Sequence, residues 1–441
     1  MRLLPCIDLL VMPLICTAAL VLFATPLVAR ALTLPQAVER ALEANPSLEA
    51  KLKSLEQAKM NVGVAQSYFW PRVSLIASTS RLKNQGDIGT AEDLSNTTDT
   101  QGLRLTLSLF AGFAHLNSLQ KSLINVEVAR EQQRQARLEL ISNVQLQFLQ
   151  LLKAREDLKH VKKSIKRIET QLQAAEAFFK VGMAPYLNVM QNKVELSKAK
   201  QSEIRVSNII RGSIVQLNQY LGFTPDEGVE YTGDLAAYGQ GVDYNEEQAV
   251  MVAMKRRPDL NIARRSIEVA LKDSQITAGQ YLPKADLSYD NRKFKRDYED
   301  ERFKDYSRDY WSVTLNFNWE IFSGGQTTFQ FIGDRKKVQS LAKNYENAMS
   351  SAKTDVIKAL LDIRAAKELI AASRLGVEAA QESYAMASKR YATNIGTITE
   401  LLDAQSRLTE AEASVSQALM EYQGARSKLY VFIGEENESL K

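Results

Sequence analysis

The chain has 441 residues, 45% hydrophobic and 24% charged, with 56 basic against 52 acidic side chains and a formal net charge of +4. That apolar fraction excludes a disordered chain, and the near balance of charge leaves no electrostatic footprint for nucleic acid. Beyond the N-terminus no stretch of about 20 apolar residues could make a membrane helix, although a membrane β-barrel would pass unnoticed in average hydropathy.

Arg2 precedes an uncharged apolar run over residues 9–24, and Ala29-Arg30-Ala31 supplies a small-residue pattern. Residues 1–31 therefore read as a secretory signal peptide cleaved near Ala31. Both cysteines, Cys6 and Cys16, lie inside it, and the bulky Ile15 before Cys16 argues against lipid attachment. The mature chain then has neither a disulfide framework nor thiol chemistry.

A helix is expected over residues 34–68, with Pro35 at a tolerated first-turn position and Asn45-Pro46 dividing it. Here the chain begins to repeat itself. At an offset of 212, nine of the 23 residues from 36 to 58 have an identical counterpart, among them Gln36, Pro46 and Leu48 on Gln248, Pro258 and Leu260. The offset also places Pro71 on Pro283, Phe110 on Phe322 and Gly222 on Gly434. A repeat on this scale sets the organisation of the whole chain. The domains are expected at 32–223 and 245–435, joined by a Pro/Gly-rich linker at 224–244 and followed by a tail at 436–441.

After Pro71 the hydrophobic period falls from 3.6 to 2. Leu103, Leu105, Leu107 and Leu109 alternate with Arg104, Thr106 and Ser108; Trp311, Val313, Leu315, Phe317, Trp319 and Ile321 alternate with polar residues in the second copy. Such alternation marks strands with one apolar face. Partner strands are expected over 72–82 and 284–295, with long polar loops at 84–100 and 292–309. Strands of roughly ten residues, long loops at one end and aromatics at the other (Phe69, Trp70, Phe110, Phe113, Tyr281, Trp319, Phe322) suit an outer-membrane barrel. A soluble β-sandwich with ragged loops is the plainer reading. Four strands cannot close a barrel, and open edges in lipid strand backbone groups, so membrane strands here require an oligomer: eight strands as a dimer, twelve as a trimer.

Proline-free helix follows, about 116–180 in the first copy, with Ile141, Val144, Phe148, Leu151, Leu158, Val161, Ile165, Ile168 and Leu172 in 3-4 spacing. That seam packs helices side by side. Turns at Val181-Gly182-Met183-Ala184-Pro185 and Thr393-Asn394-Ile395-Gly396-Thr397 lead into return helices over 186–221 and 398–433. No catalytic constellation appears. His115 and His160 stand 45 residues apart without an HExxH context, which argues against metal ligation, and Gly324-Gly325 lacks phosphate-loop spacing. The chain reads as a non-enzyme without cofactor.

These features resemble the TolC-like outer-membrane efflux and secretion channels. The resemblance covers the mature chain and rests on Leu34-Pro35-Gln36-Ala37 with Asn45-Pro46, Trp70-Pro71, Leu282-Pro283, Phe322-Ser323-Gly324-Gly325 and the stretch 391–408 containing Glu400-Leu401-Leu402-Asp403. It implies a mixed α+β homotrimer, four strands per protomer in a shared 12-stranded barrel in outer-membrane lipid, and long helices forming a periplasmic tunnel, with the linker at the waist. It further implies docking of the helical tips (Val181, Gly182, Met183, Asn394, Ile395, Gly396) to a periplasmic adaptor and an inner-membrane pump of RND or ABC type.

Acidic residues that ring the inner constriction in the family match Glu400 and Asp403, which share a helix face. Six carboxylates in a trimer would favour cations. Asn188 and Gln191 stand at the equivalent offset in the first copy, so one helical pair alone supplies charge. Described gates in the family link an aromatic, an arginine and an aspartate. Tyr391 matches the aromatic, but Gly396 and Asn188 occupy the other two positions, so the expected gate is held by packing and a Tyr391–Asn188 contact. The competing expectation is an exported structural or adhesive coiled-coil protein with a soluble β head.

Overall fold

A computed structural model describes residues 31–84, 94–236, 244–299, 301 and 303–436. The expected leader lies outside them up to residue 30, as does most of the tail. The first half runs α1 (Leu34–Ala44), α2 (Pro46–Ser67), β1 (Arg72–Asn84), β2 (Leu94–Ala111), α3 (Ala114–Lys180) and α4 (Tyr186–Leu221). The second runs α5 (Glu246–Arg256), α6 (Pro258–Ala278), β3 (Lys284–Tyr298), β4 (Tyr306–Asn318), α7 (Gln326–Ala392) and α8 (Ile398–Ile433). The halves match in length as well as order: α3 and α7 each have 67 residues, and α4 and α8 each have 36.

Local chemistry sets these boundaries. Asn45 ends α1 and caps α2, its Oδ1 accepting from the amides of Ser47 and Leu48 at 3.0 and 3.2 Å, while Pro46 occupies a first-turn site where no amide is needed. α4 and α8 end on Gly222 and Gly434, whose φ of 73° and 75° are open to glycine without a Cβ penalty. Both glycines also touch backbone: a Cβ at Gly222 would lie 2.7 Å from the Ala44 carbonyl oxygen, and one at Gly434 would lie 2.6 Å from that of Arg256. Each return helix is thereby seated on the end of its repeat's first helix.

The four strands form one antiparallel meander in the order β1-β2-β3-β4. They are longer than their apolar stretches. Residues 94–100 belong to β2 and residues 296–298 to β3, although the sequence pattern places both in loops. Backbone pairing carries the sheet beyond the last apolar rung: Asp99 faces both Thr79 and Lys295, and Thr97 faces Asp297. Residues 85–93 of the expected first loop lie outside the described residues. At the other end the chain leaves the sheet sooner than the alternation suggests. β4 stops at Asn318, and Trp319 turns its indole Nε1 onto the Tyr281 carbonyl at 3.0 Å. Trp319 is therefore an anchor just beyond the strand.

The helices form two tiers. α3 and α7 run through both, each about 100 Å long. α6 lies between α3 and α7 in the tier next to the sheet, with α2 on the far side of α3; in the distal tier α8 lies between them, with α4 beyond α3. The main core joins Leu34, Val38, Val144, Phe148, Leu151, Leu217 and Leu221. The segment expected as a linker folds over this core. Leu32 pairs in parallel with Tyr231, which is fully buried and meets Phe148 edge-on at 6.0 Å. The Tyr231 hydroxyl donates to Asn218 Oδ1 at 2.7 Å, and Asn218 Nδ2 donates to the carbonyl of Glu227 at 2.9 Å. Arg155, the one break in the α3 seam, donates to the Tyr231 carbonyl. Burial and the nearby Glu227 charge push the Tyr231 phenol well above its usual range, so it stays a donor.

Candidate conduction path and inner gate

Apart from Leu109, which sits in a bulge between Ser108 and Phe110, sheet register assigns the paired strand residues to faces. One face carries Val73 and Leu75 of β1, Leu103, Leu105 and Leu107 of β2, Leu287 and Tyr289 of β3, and Trp311, Val313, Leu315 and Phe317 of β4. The opposite face carries Ser74, Thr98, Arg104, Thr106, Ser288, Asp290, Arg292, Ser312 and Thr314. Burial is inverted relative to a water-soluble sheet. Leu75 is 83% exposed and Leu315 65%, whereas Asn96, Thr98 and Asp290 on the polar face are 4%, 8% and 8% exposed. The sheet curls around its polar side.

Ten residue steps separate Asp309 from Trp319. At about 3.4 Å each and a tilt near 40° they rise about 26 Å, the height of an outer-membrane apolar band. Aromatics gather at the helical end, where Phe110 meets Phe113 edge-on at 5.2 Å and His115 stacks on Tyr68 at the same separation. Among the described residues no helix is long and apolar enough to cross a membrane, so apolar exposure of this kind belongs to the sheet.

Among the described residues both strand edges, β1 and β4, lack a partner in the order, and α2, α4 and α7 flank the helical layers. Met60 and Val64 on α2, Ile204 on α4 and Leu361 and Leu375 on α7 are exposed on the flanks.

At the far tips Val181, Met183 and Ile395 stand exposed at 67%, 55% and 74%, beside Gly182, Asn394 and Gly396. Asn394 adopts a left-handed φ of 59° in the turn. Just behind the tips, Tyr391, Ile398 and Leu401 form a small core with Phe178, Tyr384 and Leu402. The Tyr391 ring meets Phe178 edge-on at 6.1 Å. Burial raises the Tyr391 phenol, and Asn188 beside its hydroxyl partly offsets that shift. The Tyr391 hydroxyl is nonetheless buried without a hydrogen-bond partner among the described residues, so Asn188 lies near it without bonding it.

Glu400 and Asp403 project from the same side of α8, and both are exposed. Each has a cation on its own chain: Arg390 Nη2 lies 3.7 Å from Glu400, and Arg407 Nη2 lies 2.9 Å from Asp403. Exposed pairs of this kind are worth about 0–1 kcal/mol, yet they neutralise the local field. The two acids, expected from the sequence to be bare, are each charge-paired within the chain. The Asp403–Arg407 spacing of four on one helix was available as a signal. Arg390 is not found that way, because it reaches Glu400 across the 393–397 turn. That turn is tight: a Cβ at Gly396 would lie 3.0 Å from Arg390 Cβ.

Comparison with known proteins agrees with this geometry. The profile of a family described as outer membrane efflux protein matches residues 37–223 and again 250–435. The chain is 21% identical over 412 residues to the outer membrane protein TolC of Escherichia coli, covering 88% of this chain and 79% of TolC. It is 22% identical over 376 residues to protein CyaE of Bordetella pertussis, covering 85% and 78%. Its fold superimposes on the outer membrane protein VceC of Vibrio cholerae with a TM-score of 0.78 at 17% identity, covering 91% of this chain and 96% of that one.

Proposed function

This chain belongs to the outer membrane efflux protein family, and from that premise we propose that it is the outer-membrane exit duct of a tripartite efflux pump or type I secretion system. It conducts passively what an inner-membrane pump and a periplasmic adaptor deliver. The carrying observation is the inverted sheet, apolar and exposed outside, polar and enclosed inside, at one end of helices about 100 Å long. A soluble β head would bury the Leu75–Leu315 face, so the inversion disfavours the adhesive coiled-coil reading. The finer reading is a homotrimer. Three copies supply twelve strands, enough for a water-filled lumen, whereas two supply eight and an interior filled by side chains.

The helical tips present apolar Val181, Met183 and Ile395 to the adaptor, and the inner end is held by Tyr391 against Phe178 and Asn188 with the paired acids around it. Protein extracted from outer membranes and placed in planar bilayers is expected to form pores. Gly396→Arg presses on the Arg390 stem and competes for Glu400, so it is expected to change single-pore conductance at least twofold. Pores that this substitution leaves unaltered would count against the gate, and the absence of pores would count against the duct.

A further inference from the structure

The enclosed face of the sheet carries its charge in a pattern. Counting outward from the helices, Arg72, Arg104, Arg292, Arg308 and Arg296 fall on five successive rungs of that face, those of Ser288, Asp290, Arg292, Phe294 and Arg296 on β3. Rungs on one face repeat every two residues, about 6.8 Å, so the arginines, drawn from all four strands, form a staggered column spanning roughly 27 Å along the strand direction. Lys284 lies on the same face at its base. Among the described residues of the strands, only Asp286 and Asp290 oppose them on this face. The outer face is balanced by contrast, with Arg81, Lys83, Lys293 and Lys295 against Asp99, Asp297 and Asp309.

The column is held in shape. Asp290 Oδ1 accepts from Arg104 Nε and from Arg292 Nη2, both at 2.7 Å, so one carboxylate spaces two guanidinium groups and leaves a net positive charge. Gly102 stands opposite Arg292, and its missing side chain lets the arginine lie flat: a Cβ there would fall 2.9 Å from Arg292 Cγ and 2.3 Å from the Asn291 carbonyl oxygen. Arg296 lies over the rings of Phe294 and Tyr306, at 5.0 and 5.9 Å from their centroids, and donates to Thr98 Oγ1 at 3.2 Å. Guanidinium groups fixed along a low-dielectric wall focus a positive potential into the lumen.

We propose that the barrel segment of this duct is an anion-binding conduit, suited to carboxylated or phosphorylated solutes, with the arginine column as its track. The inference rests on the duct reading above. It differs from the cation preference that Glu400 and Asp403 alone suggest, because those acids are paired to Arg390 and Arg407 while the column carries excess charge. Rings of arginine and lysine are what anion-conducting pores use.

The test is sided block of single pores by a trivalent or higher ion added at the barrel side, which probes the outer segment regardless of the inner constriction. Tripolyphosphate is expected to reduce the current, hexaamminecobalt(III) is expected to have little effect, and raising the salt is expected to weaken the block. Arg72→Gln/Arg292→Gln/Arg308→Gln is expected to raise the half-blocking tripolyphosphate concentration at least tenfold. Lysine at the same three positions should retain most of the block, and Lys293→Gln/Lys295→Gln on the opposite face should leave it unchanged. If the triple glutamine variant fails to insert, Arg308→Gln alone should give about a threefold shift. Pores blocked equally by the cobalt cation, or with unchanged sensitivity after loss of the arginines, would overturn the proposal while leaving the duct intact. An absence of pores would instead remove the duct reading.

Discussion

Replacing Leu315 by arginine is expected to abolish accumulation of the protein in the outer membrane, whereas Thr314→Arg, one residue away, is expected to be tolerated. Leu315 lies midway along the exposed apolar face, paired with Leu287 and level with Leu107, while Thr314 points to the enclosed side with Ser288 and Thr106. Arginine facing lipid at the bilayer midplane costs about 2–4 kcal/mol per site, and three sites in a trimer multiply that cost within one barrel. Quantifying both variants in outer-membrane fractions checks the assignment. Equal tolerance would mean that the apolar face does not meet lipid.

The second large effect is expected at the waist. Tyr231 fills the space between α1, α3 and α4 with no exposed surface, and its hydroxyl completes the bonding of buried Asn218. Truncating a buried aromatic to alanine costs about 3–5 kcal/mol. Tyr231→Ala also leaves Asn218 Oδ1 without its donor, and it detaches the Leu32 pairing from its support. Tyr231→Phe keeps the volume and loses the hydrogen bond alone, a cost of about 1–3 kcal/mol. Thermal unfolding of purified protein should place the midpoints in the order wild type, Tyr231→Phe, Tyr231→Ala. An alanine variant as stable as wild type would mean that this segment is the loose tether its composition suggests.

The helical architecture is legible in the sequence because several signals coincide there. Asn45-Pro46, Gly222 and Gly434 each fix a helix end by chemistry local to a few residues, and the 212-residue repeat states it twice. Both return helices start and stop where the Gly- and Pro-bearing turns place them, at Tyr186–Leu221 and Ile398–Ile433. Strand ends are less legible, since hydrophobic alternation stops before strand pairing does, and the polar rungs beyond it are held by backbone bonds together with side-chain bonds such as Thr79 to Asp99 and Arg296 to Thr98. Residues 94–100 and 296–298 therefore look like loops until their partners are known.

The site was legible in part. Asn188 lies near the Tyr391 hydroxyl without a hydrogen bond between them, and Val181, Met183 and Ile395 are exposed in the turns between the long helices. Arg390 is hidden from sequence reasoning because its partnership spans a turn. The arginine column was hidden differently. Arg104 lies in plain view between Leu103 and Leu105, but it reads as the polar half of an alternating strand until register places Asp290 and Arg292 beside it. The segment around Tyr231 misled because glycine-rich composition predicts freedom, and a single buried phenol outweighs that.

Completion of the barrel and tunnel by neighbouring copies is tested most directly by the native mass of the detergent-extracted outer-membrane particle. Three chains per particle are predicted, a state that joins each β1 edge to the next copy's β4 edge in twelve strands. A particle of one or two chains, or recovery of the protein without detergent from the periplasm, would contradict it.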